Sequence, residues 1–223
     1  NALKINPNLS EALIFRADIF VRQELYNEAL NDYNNAILTN PKISHYYANR
    51  AAVYSIIGEY KKALKDTDIA IEIDPLNHLA IHNRAKCWER FGDVEKAIEG
   101  YSDVIILDPT NFMSFASRGM LYMKNGEWDN AINDLNKATK IKPDNDISYV
   151  YRSFLFLNIE NYTNALNEAN FAISLNGSSK SYAYYYRGIA KAALGQNGCS
   201  DIKKSMSLGF SVSEDAIKEF CQE

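Results

Sequence analysis

Proline is nearly absent from this chain: five residues in 223, against ten glycines and three cysteines. The cysteines, Cys87, Cys199 and Cys221, are scattered and lack C-x-x-C spacing. That spacing excludes a disulfide-dense scaffold and a zinc ribbon, and buried structural thiols are the expectation, with Cys199 falling in a core column. No apolar run approaches the roughly 20 residues of a membrane helix, so no membrane insertion is expected in this segment. Neither sign of charge dominates: 24 basic and 28 acidic side chains leave a net charge of −4. Both signs are dispersed, which gives no electrostatic case for nucleic acid. Low-complexity tracts, long linkers, and G-x-S-x-G, Walker and G-x-G-x-x-G patterns are all missing, so catalytic and cofactor-binding residues are assigned as none. His78 and His82 stand four apart, a spacing that can bring two imidazoles to one metal. No Glu follows His78 as in H-E-x-x-H and no third ligand is evident, so no metal site is assigned.

What proline there is falls in register. Pro7, Pro41, Pro75, Pro109 and Pro143 are each 34 residues apart and are all the prolines of the chain. A period of this size marks a repeat protein, whose units bury their apolar faces by stacking on neighbours. Aligned on the prolines, one column reads Leu13, Tyr47, Ile81, Phe115, Tyr149. Four residues on comes a small column, Ala17, Ala51, Ala85, Gly119, Ser153, and three further a ring column, Phe20, Tyr54, Trp88, Tyr122, Phe156. Steps of four and three put these on one helix face. Gly58, Gly92 and Gly126 follow in one column, with Glu24 and Glu160 in their place elsewhere. Glycine there suits a helix end that needs positive φ. A second helix carries small residues at Ala29, Ala63, Ala97, Ala131, Ala165 and, seven on, at Ala36, Ala70, Val104, Ala138, Ala172, with Leu30, Leu64, Ile98, Ile132 and Leu166 as a large column. Small residues let two helix backbones approach, and the terminal proline forbids continuation.

The period, the small-residue columns, the ring column and the terminal proline together resemble the tetratricopeptide repeat (TPR) family. The resemblance implies an all-α, right-handed superhelical solenoid of helix–turn–helix repeats with a C-terminal capping helix. Its expected units are 10–43, 44–77, 78–111, 112–145 and 146–179, then an atypical sixth at 180–212 and a cap at 213–223. At the end of the fifth, Gly177 stands where proline is expected; in the sixth, Cys199, Ile202, Ser205 and Met206 take the apolar columns. Ser213 is the expected N-cap of the last helix. Residues 1–9 match the end of a preceding repeat, so the chain reads as a fragment with an open N-terminal face.

The resemblance also implies that first helices line a concave groove for a protein or peptide ligand. Its columns in the first repeats include Glu11, Ile14, Asp18, His45, Ala48, Asn49, His82, Asn83, Lys86 and Glu89. In the later repeats they include Met113, Ala116, Met120, Met123 and Val150, then Tyr151, Phe154, Leu157, Tyr182, Tyr185 and Ile189. The groove is thus expected to be polar in its first half and apolar in its second, where Met120, Tyr151 and Phe154 are the expected anchors. The competing expectation is that the C-terminal helix or neighbouring turns cover the apolar stretch. The family's carboxylate clamp for chaperone tails is disfavoured, since Ile14, Asp18, Leu79 and Asn83 stand where it needs other residues. An asparagine ladder like that of O-linked GlcNAc transferase is represented by Asn49 and Asn83 and broken by Phe15, Ser117 and Tyr151. The implied function is a non-catalytic interaction scaffold. The alternatives are a substrate-recruiting or regulatory arm of a larger enzyme, and self-association through the open N-terminal end.

One polar pattern runs through all six units: Arg16, Arg50, Arg84, Arg118, Arg152 and Arg187, with acids at Asp32, Asp66, Asp134, Glu168 and Asp201. Gly100 breaks the acidic column. A ladder of structural ion pairs is expected rather than a row of cations gripping a ligand. Asp32 with Arg50 and Asp134 with Arg152 are the expected pairs across repeats, with Asp103 replacing the missing acid for Arg84.

Overall fold

The computed structural model describes residues 9–221, which contain thirteen α-helices and no strand. The expected remnant of a preceding repeat lies, apart from Leu9, outside the described residues. In chain order the helices are α1 Ser10–Arg22, α2 Tyr26–Thr39, α3 Ser44–Ile56, α4 Tyr60–Ile73, α5 His78–Phe91 and α6 Val94–Leu107. These are followed by α7 Phe112–Lys124, α8 Trp128–Ile141, α9 Asp146–Asn158, α10 Tyr162–Ser174, α11 Lys180–Ala193, α12 Cys199–Ser207 and α13 Glu214–Phe220. The chain divides after Pro109 into two compact units. Within each, successive helices pack as helix–turn–helix pairs.

The turn inside each pair is a recurring local solution. The ring-column residue gives its carbonyl to the amide five residues on: Leu25 N to Phe20 O at 2.9 Å, Glu59 to Tyr54 at 2.8 Å, Asp93 to Trp88 at 3.0 Å, Glu127 to Tyr122 at 2.8 Å and Asn161 to Phe156 at 2.8 Å. This bond closes a helix end when the residue between is left-handed. Gly58, Gly92 and Gly126 supply φ of 82°, 82° and 76°. Glu24 at 60° and Glu160 at 57° adopt the same conformation without glycine's freedom.

The turn between pairs is set by proline. Asn40, Asp74, Asp108 and Lys142 stand directly before proline and have left the helix, with φ from −140° to −131°. Asn77, Asn111 and Asn145 then cap the next helix, each side-chain oxygen accepting an amide N–H three residues on. Tyr47 and Tyr149 donate their hydroxyls to the carbonyls of Pro41 and Pro143, both at 3.1 Å, fixing each turn on the helix that follows.

The small columns are the helix contacts. Ala17, Ala51, Ala29, Ala63, Ala97, Ala131 and Ala165 are fully buried. Two further columns at the same period complete the core: Val53, Cys87, Leu121, Leu155 on first helices, and Tyr33, Thr67, Tyr101, Leu135, Ala169 on second helices. Cys87 is a packing thiol, pushed up to about 11 by burial, with Lys86 opposing. The large column Leu30, Leu64, Ile98, Ile132, Leu166 is only half-buried.

The C-terminal segment departs from expectation in two respects. Cys199 and Cys221 form a disulfide across 22 residues, so only Cys87 of the three is a free buried thiol. The scattered spacing concealed this pairing because the chain must double back through α12 and α13 to bring the two together. Met206, expected in an apolar column, is exposed, while Ile202 and Ser205 are buried. The shortened α12 turns its last residues off the packed face. Ser213 caps α13 by accepting the amide of Ala216 at 3.2 Å.

Candidate functional site

Five of the six column arginines are structural. Arg16 donates Nε and a terminal nitrogen to Asp32 at 2.6 and 2.7 Å, and Arg50 does the same to Asp66 at 2.7 and 2.7 Å. Arg118 grips Asp134 at 2.7 and 2.9 Å, and Arg187 grips Asp201 at 2.9 and 2.6 Å. Every one of these pairs lies within a unit, between its first and second helix. The expected cross-repeat pairs Asp32–Arg50 and Asp134–Arg152 are not formed. The reach across a repeat falls instead to neutral asparagines, with Arg50 donating to Asn34 at 2.6 Å and Arg187 to Asn170 at 3.0 Å. Burial raises Asp201, but the bonds from Arg187 and Lys191 outweigh it and hold the carboxyl below its ordinary range. Glu168 is the opposite case: burial pushes it up, and one 2.8 Å contact from Arg152 only partly compensates.

With the arginines accounted for, the first-helix columns remain as candidate binding surface. In the first unit they converge. Glu11, Ile14, Asp18, His45 and Asn49 border one open cavity of about 430 Å³, together with Phe15 and Tyr46. Phe15 is 70% exposed. His45 sets its ring edge-on to Tyr46, centroids 4.7 Å apart. Asp18 accepts the Tyr33 hydroxyl at 2.5 Å, which fixes the carboxylate at the cavity wall; burial first, and then this bond, drives the phenol upward. Other predicted groove residues serve the framework. Asn83 is buried and donates to the Ala48 carbonyl at 3.1 Å, tying α5 to α3, and Ala48 is itself buried. Glu89 accepts from the Tyr101 hydroxyl at 2.9 Å. His82 leans on the Tyr101 ring, centroids 5.2 Å apart. Burial, with Lys86 and His78 adding to it, lowers His82 to about 4, so this imidazole is neutral at physiological pH. Among the described residues no group of three His, Cys, Asp or Glu side chains could hold a metal.

In the second unit the corresponding columns carry rings. Phe154 stacks on Tyr186 at 5.2 Å between centroids, Tyr185 lies 4.6 Å from Phe210, and Tyr182 4.9 Å from Phe210. Tyr151 and Tyr186 pack over the buried Val150, Ala172 and Ala183. Burial, then the neighbouring Tyr182, Tyr185 and Tyr151, pushes the Tyr186 phenol up to about 12. Met113 is 54% exposed and Met120 half-buried, whereas Met123 and Ala116 are buried. Leu157 and Ile189 border a cavity of about 450 Å³ that also includes Phe220 of α13. Phe220 of the capping helix thus borders the same cavity as Leu157 and Ile189.

A family model described as a TPR repeat matches residues 119–158. No curated protein matches the chain. Among solved structures, a chain of the APC/C hetero-tetramer Cut9–Hcn1 superposes with a TM-score of 0.90 over 99% of this chain, at 13% identity. The match takes in 44% of that chain, so this one spans less than half its length. TTC0263, a TPR protein of Thermus thermophilus, aligns at TM-score 0.70 and 18% identity, over 83% of this chain and 98% of its own. Residues 119–158 thus match a tetratricopeptide repeat, and the chain as a whole has the fold of tetratricopeptide-repeat proteins. YrrB, described as a TPR protein with an unusual peptide-binding site, aligns at TM-score 0.57 and 17% identity, over 82% of this chain and 94% of its own. TPR arrays of this kind are generally scaffolds for protein interaction.

Three ring residues of these surfaces escaped the repeat alignment as candidates. Tyr46 and Tyr186 sit one position away from the aligned groove columns, and Phe210 lies near the end of the atypical sixth unit, outside those columns. Only the second helix and the chain's return at 208–213 bring Phe210 against Tyr182 and Tyr185.

Proposed function

We propose that this TPR chain is a non-catalytic interaction scaffold that binds a peptide or helical segment along its first-helix faces. The observation that carries this reading is the convergence of Glu11, Ile14, Asp18, His45 and Asn49 on one open cavity beside an exposed Phe15. A large exposed ring bordering a cavity lined by both apolar and polar side chains is a surface arranged for a partner's side chain. The second unit adds an adaptable apolar face of methionine and tyrosine, with Met120, Tyr151 and Phe154 as anchors. Leu157 and Ile189 add to this face from the border of a cavity they share with Phe220.

The test is selection of displayed peptides on the purified chain, followed by calorimetric titration of the winners. Ligands with apolar anchors should lose binding in a Met120→Asp, Phe154→Asp double variant whose helical circular dichroism is unchanged. If those ligands bind the double variant normally and lose binding in Phe15→Asp, the site is the first-unit cavity alone. Selection that yields no saturable ligand overturns groove binding.

A further inference from the structure

Arg84 breaks the rule its column sets. The other five repeat arginines place a nitrogen 2.6–2.8 Å from a carboxylate of their own unit. Among the described residues Arg84 has only Asp68 of the preceding pair, at 3.8 Å, and that acid is 59% exposed. Its relation to the ring column differs too. Arg16, Arg50, Arg118 and Arg152 lie 5.7–5.9 Å from Phe20, Tyr54, Tyr122 and Phe156. Trp88 is covered instead by Lys96, at 4.4 Å. The cause is packing. A Cβ at Gly100 would lie 2.8 Å from the Ala85 Cβ, so α5 and α6 approach too closely for any side chain in the acidic column. What the lost acid leaves is a cavity of about 250 Å³ bounded by Asp68, Arg84, Trp88, Lys96, Gly100 and Asp103, with Glu99 at its edge.

We propose that this cavity is a carboxylate-binding site, in which an acid from outside the chain takes the place of the side chain missing at position 100. The guanidinium presents a planar fork whose natural complement is a carboxylate held by two parallel hydrogen bonds. Lys96 also borders the cavity, although its ammonium already donates to Asp93 at 2.7 Å, and the Trp88 ring offers an apolar wall for the carbon chain that carries the acid. The rim acids set the charge limit. Asp68, Glu99 and Asp103 against Arg84 and Lys96 leave the lining one charge negative, so a dianion is repelled more strongly than a single carboxylate, whose binding must come from the guanidinium fork. The ligand class is therefore a monocarboxylate on a short chain: a small free acid, or the Asp or Glu side chain of a bound protein. This site is separate from the first-helix surface proposed above and does not depend on it.

The chain has two tryptophans, so Trp128→Phe leaves Trp88 as the sole reporter. In that background, propionate, a capped peptide with one internal Glu, and sulfate are titrated at constant ionic strength while Trp88 fluorescence is followed. Saturable binding is expected for a carboxylate, on the order of millimolar for propionate, and weakened about tenfold or more in Arg84→Gln. Sulfate should bind more weakly than propionate. The swap Ala85→Gly with Gly100→Asp makes room for the acid in the chain itself and should abolish binding. Arg84→Lys, which keeps the charge and loses the fork, carries the same test if the swap does not fold. Saturation by propionate alone identifies a small-acid site, and tighter binding of the peptide identifies a partner's side chain. No saturable carboxylate, sulfate binding as tightly as propionate, or undiminished affinity in Arg84→Gln overturns the proposal.

Discussion

Three arginines in one column, Arg16, Arg50 and Arg84, should lose very different amounts of stability when their charge is removed. Methionine is the right replacement, because it keeps the apolar stem. Arg50 is the strongest case. Its side chain is 17% exposed, and Asp66, held by two bonds of 2.7 Å, is 5% exposed. Arg50→Met strands that carboxylate in the interior. Breaking a buried pair costs about 3–5 kcal/mol, and partial access of water brings the expected loss to about 3 kcal/mol. Arg16 is 46% exposed while Asp32 is almost fully buried, so water can partly replace the guanidinium, and the loss should be about 1 kcal/mol. Arg84 faces an exposed acid at 3.8 Å, and its replacement should cost no more than about 0.5 kcal/mol. The assay is urea unfolding followed by circular dichroism, with hydrogen exchange on α3 and α4, because a repeat array need not unfold in one step. Arg50→Met with Asp66→Leu should recover most of the loss, since an apolar pair has no stranded charge. Equal losses in all three variants, or no recovery in the double variant, would show that the column contributes through something other than paired burial.

Three further outcomes follow from the same structure. His82 is lowered to about 4 in the folded chain and titrates near 6.5 when unfolded. The unfolded chain therefore binds the proton first: the contribution is complete above about pH 6.5 and is lost as pH falls towards 4, so His82→Gln should flatten the pH dependence of the urea midpoint in that window. Glu160→Gly should raise stability by roughly 0.5–1 kcal/mol by relieving a left-handed backbone at a position where four other pairs use glycine, while Gly58→Ala should lower it comparably; thermal midpoints check both. Opening the Cys199–Cys221 bond frees a loop of 22 residues, which loop entropy values at about 3 kcal/mol; hydrogen exchange in α13 should rise sharply on reduction and leave α1–α6 unchanged.

The register of the solenoid is legible in the sequence because its causes are local. Proline at Pro41, Pro75, Pro109 and Pro143 ends helices wherever it occurs, glycine at Gly58, Gly92 and Gly126 permits a left-handed turn, and alanine at Ala29 and Ala63 admits a close neighbour. Each is a property of one residue type repeated at a fixed interval, so it survives without knowledge of contacts. Sequence also shows that the arginines have acids to match. It does not show which acid, because positions 32 and 66 are equally plausible in column terms for Arg50. Only the packing of each first helix on its own second helix selects Asp66. The same limit applies to the candidate sites. Tyr46, Tyr186 and Phe210 become part of a surface through the way helices rotate and the chain returns, and Cys221 meets Cys199 only because α13 folds back. Gly100 reads in the sequence as a gap in a column. That the gap is a close helix approach, with Arg84 facing a cavity, is a matter of distances between backbones far apart in the chain, and tertiary structure alone sets those.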